Sequence, residues 1–237
     1  MKNILYGTNS LFGLVVSIYG NLDFGRPLRL RSKGFIEFFE RFYHLTHIGL
    51  LLTSISFLMG MLYRRQKRYD ENSRISKTLK VLYMDILAIT VTAECFIPLI
   101  FWVLWHIDES SVVTKSSYVG EDTISLFFNL CMHGLPTIFL LVEFFTFEFL
   151  GRRGHYLFLF LFFMLYIGVM YLFNIKTGEW PYGIVGTLAG PYRITFFAAC
   201  FAVLCALYYL LSCFHFMVWK TKHEKRRNKE RKLEKTV

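Results

Sequence analysis

The stretch Val81–Ile107, VLYMDILAITVTAECFIPLIFWVLWHI, decides the fold. It lies between Lys80 and Asp108 and exceeds the ~20 apolar residues a helix needs to cross roughly 30 Å of hydrocarbon. Its apolar residues run on without the period-two alternation of a barrel strand, so a helix is expected. Moving outward, charges cut the chain into similar runs: Phe42–Tyr63 between two arginines, Thr123–Phe147 after Asp122, His155–Ile175 before Lys176, and Ile194–Trp219 after Arg193. A weaker segment, Ile4–Leu22, is diluted by Gly7, Asn9, Gly13, Gly20 and Asn21. No clear small-residue cleavage site follows it, so it is expected as a retained helix rather than a signal peptide. The fold class expected is all-α, a polytopic membrane protein with a bundle of six transmembrane helices in residues 1–219, followed by a basic tail in 220–237.

Composition agrees. Hydrophobic residues make up 54% of the 237, with 26 phenylalanines and only five prolines, more apolar surface than an aqueous core of this size uses. Of the 27 lysines and arginines, 19 fall in the amino terminus, the second and fourth loops and the tail, against 8 in the other loops. Positive residues stay in the cytosol, so both termini are expected there. The third loop carries Asp108, Glu109, Glu121 and Asp122 against a single Lys115, which fits the opposite side. All five cysteines fall within spans, which argues against a disulfide framework and a paired-thiol metal site.

The tail, KTKHEKRRNKERKLEKTV from Lys220, reads as a solvated cytosolic extension that fixes topology, with anionic lipid headgroups as its expected contact. Nucleic acid is not expected as a partner so close to a membrane, and no protein partner is indicated. Lys235 occupies one position of a dilysine retrieval signal whose second lysine is absent. The endoplasmic reticulum is therefore favoured over the plasma membrane as the site of this integral membrane protein.

Two polar side chains stand out within the spans. Thr46 lies about 6 Å, and His133 about 15 Å, in from the non-cytosolic ends of the second and fourth spans at 1.5 Å per residue, so both fall in the outer half of the bilayer. A threonine hydroxyl needs a neighbouring base to become a nucleophile, and a neutral imidazole suits that role. Taken alone, Thr46 reads more readily as a structural threonine bonding a carbonyl of its own helix, the role expected for Thr53, Thr90, Thr92 and Thr137. His133, with Pro136 three positions on, is a functional candidate by default. His44 and His47 share a helix face and with His133 suggest three zinc ligands, but no HExxH or similar motif accompanies them, so neither metal nor cofactor is expected. Asp85 is expected to snorkel to the cytosolic end; Glu94 and Glu143 lie deeper and need partners, as a structural hydrogen-bond pair or the lining of a substrate path.

Four stretches carry a resemblance: YHLTHIGLLL around Thr46; FIPLIFWVLWHIDES; MHGLPTIFLLVEFF with His133, Pro136 and Glu143; and TGEWPYGIVGTLAGPYRITFF with Trp180, Tyr182, Gly190, Pro191 and Arg193. In order and spacing the chain resembles the androgen-induced gene / androgen-dependent TFPI-regulating protein family of transmembrane threonine hydrolases. The resemblance covers most of the chain and leaves out the tail. It implies hydrolysis of lipid esters, specifically fatty acid esters of hydroxy fatty acids, with the family threonine at Thr46 and the family histidine at His133. Glu94, His47 and the long tail depart from the pattern. The substrate would enter from the bilayer through a pocket lined by phenylalanines with Met132, Met164 and Met170. The alternative is a non-enzymatic lipid-binding or transport protein in which His133, Glu94 and Glu143 line a polar path.

Overall fold

In hydrocarbon every backbone N–H and C=O must be satisfied within the segment, which is why the long apolar runs become helices. A computed structural model describes residues 2–22, 34–108, 125–149 and 151–234. The described residues form nine α-helices and no strand: α1 Lys2–Asn21, α2 Phe35–Glu40, α3 Leu45–Tyr69, α4 Arg74–Ile107, α5 Leu126–His133, α6 Leu135–Thr146, α7 Gly154–Thr177, α8 Gly183–Thr187 and α9 Gly190–Glu234. A 3-10 turn, Arg41–Tyr43, joins α2 to α3. Five units are long and apolar enough to cross a membrane: α3, α4, α5 with α6, α7, and α9 over Gly190–Thr221. This is an integral, multi-pass membrane protein. Most of the acidic third loop, with Glu109, Lys115, Glu121 and Asp122, lies outside the described residues.

The α3–α4 hairpin is the spine. Its turn is built by Asp70, whose carboxylate accepts the N–H groups of Asn72 and Ser73, and by Ser73, whose hydroxyl caps α4 by accepting the Ser76 N–H. α1, α5 and α6 pack on one side of this hairpin, while α4 also meets α7 and α9. The main core joins Phe57 of α3, Tyr83, Leu87 and Val91 of α4, Leu140 and Phe144 of α6, Leu159 of α7 and Leu204 of α9. α7 and α9 bury only 17% and 11% of their apolar windows, against 50% for α4. Leu165, Leu172, Ile194 and Phe216 therefore point outward, as they do when lipid rather than water is the solvent.

Two expectations need correction. The fourth span is two helices rather than one: α5 ends at His133, Gly134 is both its C-cap and the N-cap of α6, and Pro136 sits in the first turn of α6, where its missing N–H costs nothing. Local back-bonding holds for Thr90, to the Ile86 carbonyl at 2.8 Å, and for Thr92, to Ala88 at 2.7 Å. Thr53 instead donates to Glu94 Oε1 at 3.1 Å, and Thr137 to the Glu94 carbonyl at 2.5 Å, because both face α4. The first segment is a full helix packed into the bundle, although it is less apolar than the five spans.

Glycine makes that packing of α1 close. A Cβ on Gly13 would lie 2.3 Å from two carbons of the fully buried Phe57 ring. Gly13→Ala is therefore expected to force α1 and α3 apart and cost about 1–3 kcal/mol, read from thermal unfolding of the solubilised protein. Phe57→Leu introduced alongside should recover part of the loss; no recovery would place the damage elsewhere.

Candidate functional site

Thr46 occupies the second position of α3, just after the turn that brings the chain into the bundle. Its side chain is 8% exposed and borders an apolar cavity between α3, α4, α7, α8 and α9. The cavity encloses about 90 Å³. None of its lining residues is charged, and only Thr46, Tyr166 and Tyr182 bring hydroxyls to it. Among the described residues the Thr46 hydroxyl makes no hydrogen bond.

The cavity lies at the end of the bundle where α3 begins, α4 ends and α9 begins. The short helix α8 brings Tyr182 there. Gly178, in the left-handed conformation at φ 75°, ends α7 and turns the chain into that segment. Tyr182 Oη accepts the N–H of Leu45, the first residue of α3, at 2.9 Å. The Tyr166 hydroxyl has one proton and two acceptors in reach, the Tyr43 carbonyl at 3.2 Å and Tyr182 Oη at 3.0 Å. Arg193 fastens α8 from the other side, with Nε donating to the Val185 carbonyl and an Nη to Leu188, its guanidinium 4.3 Å above Trp180.

His133, 6% exposed, ends α5 with its ring flat on Phe101 at 3.9 Å between centroids. Phe101 lines the cavity and His133 does not. His133 Nδ1 is buried without a hydrogen-bond partner. Thr46 and Phe101 both line the cavity, His133 stacks on Phe101, and no hydrogen bond joins Thr46 to His133 in this structure.

A family model described as FAR-17a/AIG1-like protein matches residues 9–215. The chain belongs to this family. It is the androgen-induced gene family that the sequence motifs resemble, and hydrolase activity is known for it in general. No curated protein and no solved structure matches the chain.

Elsewhere in this family member the intramembrane polar groups are engaged away from the cavity. The three histidines weighed as zinc ligands go to different neighbours: His44 meets the Tyr182 ring edge, His47 Nδ1 bonds Asn21 Oδ1 at 2.9 Å, and His133 stacks on Phe101. Glu94 and Glu143 are not bonded to each other, contrary to their reading as a pair. Glu94 takes the Thr53 bond on Oε1, and its Oε2 is buried without a partner. Glu143 accepts from Tyr83 at 2.5 Å, from Ser10 at 3.1 Å and from Arg64. Asp85 does not reach out to the headgroups either: it pairs with His155 at 2.9 Å and Arg152 at 3.7 Å, and His155 Nδ1 lies 2.6 Å from Tyr208 Oη. Of the methionines expected to line a pocket, Met170 does, Met132 packs with Leu50 and Phe128, and Met164 faces outward.

Sequence reasoning missed the hydroxyl pair of Tyr166 and Tyr182. Tyr182 stood in a quoted motif, but nothing local says that its hydroxyl ends at the first turn of a helix more than a hundred positions earlier.

Proposed function

We propose that this protein is a membrane-embedded lipid ester hydrolase with Thr46 as nucleophile and His133 as base. The observation that carries the reading is the Thr46 hydroxyl, buried and without a hydrogen bond, at an uncharged cavity of lipid-accepting character. Thr46 Oγ1 attacks the ester carbonyl carbon while His133 takes its proton; the alcohol leaves with that proton, and water cleaves the acyl-threonine. His133 reaches the hydroxyl after the Phe101 ring swings aside. In fatty acid esters of hydroxy fatty acids one ester joins two apolar chains, so the cavity takes the ester and its neighbouring methylenes while the chains extend into the bilayer. The bundle has six spans, α1 being the sixth, with both termini cytosolic: the α3–α4 hairpin, with Arg65, Lys67, Arg68, Lys77 and Lys80, marks the cytosolic side. The cavity then lies toward the opposite face, in the membrane of the endoplasmic reticulum, and the tail rests on anionic headgroups.

The test is to treat the purified protein with a fluorophosphonate and locate the adduct by mass spectrometry. An adduct on Thr46 supports the reading; an adduct elsewhere, or none, sinks it. His133→Ala is expected to slow labelling about 10²–10⁴-fold, the contribution of a general base. A rate within threefold of wild type would remove His133 from the mechanism.

The missing Thr46–His133 hydrogen bond favours a second reading, a lipid-binding protein without catalysis. That reading expects saturable binding of a fluorescent fatty acyl ester that is recovered intact and leaves no adduct.

A further inference from the structure

The first turn of a helix leaves its N–H groups without intrahelical acceptors. In α3 that of Leu45 is taken by Tyr182, and those of His47 and Ile48 reach the His44 carbonyl. The Thr46 N–H has no acceptor among the described residues. Thr46, a residue 8% exposed, thus brings two unmet polar groups, its hydroxyl and its N–H, to the rim of an apolar cavity. Buried donors without partners are rare, and such a pair calls for an acceptor on whatever occupies the cavity.

Tyr182 supplies a third donor. Its oxygen accepts the Leu45 N–H and lies 3.0 Å from the Tyr166 hydroxyl: with the single Tyr166 proton on Tyr182, the Tyr182 proton is free for a ligand, and with it on the Tyr43 carbonyl at 3.2 Å, Tyr182 donates to Tyr166. Tyr182 lines the cavity. Burial pushes its phenol above the usual value, which keeps the proton in place. Leu45 fixes the distance: the phenol oxygen is bonded to the residue immediately before Thr46.

We propose that the Thr46 N–H and the Tyr182 hydroxyl form the oxyanion hole of the cavity. The assignment rests on the hydrolase reading above and adds a catalytic residue to it. When Thr46 Oγ1 bonds to the acyl carbon, the carbonyl π pair moves onto oxygen, and the two donors hold that negative charge at the positive end of the α3 dipole. When the carbonyl re-forms, the pair returns and the C–O bond to the alcohol breaks. An ester carbonyl gives the Thr46 N–H and the Tyr182 hydroxyl a shared acceptor, which selects ligands with an acceptor at this point over hydrocarbon alone.

The experiment uses the full-length protein in lipid nanodiscs, with a 4-nitrophenyl acyl ester as substrate and an alkyl ether of the same length as a carbonyl-free competitor. Tyr182→Phe is expected to lower kcat about 100-fold and slow fluorophosphonate inactivation by a similar factor. KM and ether affinity should stay within twofold. An unchanged kcat overturns the proposal, as does a fall in kcat matched by a fall in ether affinity, since that is the signature of a merely structural cap on α3. If Tyr182→Phe does not fold, 3-fluorotyrosine at position 182 keeps the hydroxyl and its contact with Leu45. It should then shift kcat several-fold and leave ether affinity alone, and an unchanged kcat again overturns the proposal. Wild type that takes no label on Thr46 overturns the hydrolase reading and this one with it, whereas labelled wild type and an equally labelled Tyr182→Phe overturn this one alone.

Discussion

Thr46→Ala is expected to remove ester hydrolysis and fluorophosphonate labelling by at least about 10³-fold, because losing a nucleophile leaves only binding and oxyanion stabilisation. The protein should stay folded. The Thr46 hydroxyl makes no hydrogen bond among the described residues, so no partner is stranded, and alanine is the better helix former at the second position of α3. Thr46→Ser keeps the hydroxyl and should retain activity within about tenfold. Thermal unfolding alongside the rates separates the outcomes: an inactive variant with an unchanged midpoint supports the nucleophile, and an active Thr46→Ala ends the mechanism. Thr53→Ala is the matched control, since its hydroxyl is committed to Glu94 between α3 and α4. It should keep the label and lose some stability.

The largest effect on stability is expected at Glu143. Its carboxylate is 2% exposed and gathers Ser10 from α1, Arg64 from α3 and Tyr83 from α4 onto α6, so one side chain joins four helices. Arg64 also donates to Ser10 Oγ at 2.6 Å, which closes the network. Glu143→Gln keeps the shape and removes the charge, leaving the partly buried Arg64 guanidinium uncompensated. Breaking a buried pair on one side costs about 3–5 kcal/mol, whereas replacing both partners with apolar residues is often close to neutral. Glu143→Leu with Arg64→Met should therefore be more stable than Glu143→Leu alone, a non-additivity that only directly coupled residues produce. Unfolding of the solubilised proteins measures it. If Glu143→Gln loses less than about 1 kcal/mol, the network is not what binds α1 and α6 to the hairpin.

Much of the molecule can be read along the chain. The spans starting near Phe42, Val81, His155 and Ile194 appear as α3, α4, α7 and α9, with α4 beginning at Arg74 and α9 running on to Glu234, since a continuous apolar run admits a single backbone solution in lipid. Thr90 and Thr92 satisfy themselves within one turn, and their bonds were legible for that reason. Thr53 and Thr137 have the same chemistry in equally apolar surroundings, yet they bond α4, because the hydroxyl that finds another helix is the one rotated toward it. The break after His133 was half legible: Pro136 signalled loosened backbone, and Gly134 is where the helices part.

The sequence by itself determined that this is a helical membrane protein, which family it resembles, and that Thr46 and His133 are polar groups in apolar surroundings. These depend on run lengths, residue types and motif order, all properties of the chain read in one dimension. Tertiary structure alone decided that Thr46 opens on a cavity, that Phe101 covers His133, that Tyr182 caps α3, and that Glu143 turns to Arg64 rather than Glu94. Each of these depends on how a helix is rotated about its axis and which neighbour it packs against, and in a bilayer that is set by close packing and a few interhelical hydrogen bonds, because lipid gives apolar faces no preference for one another.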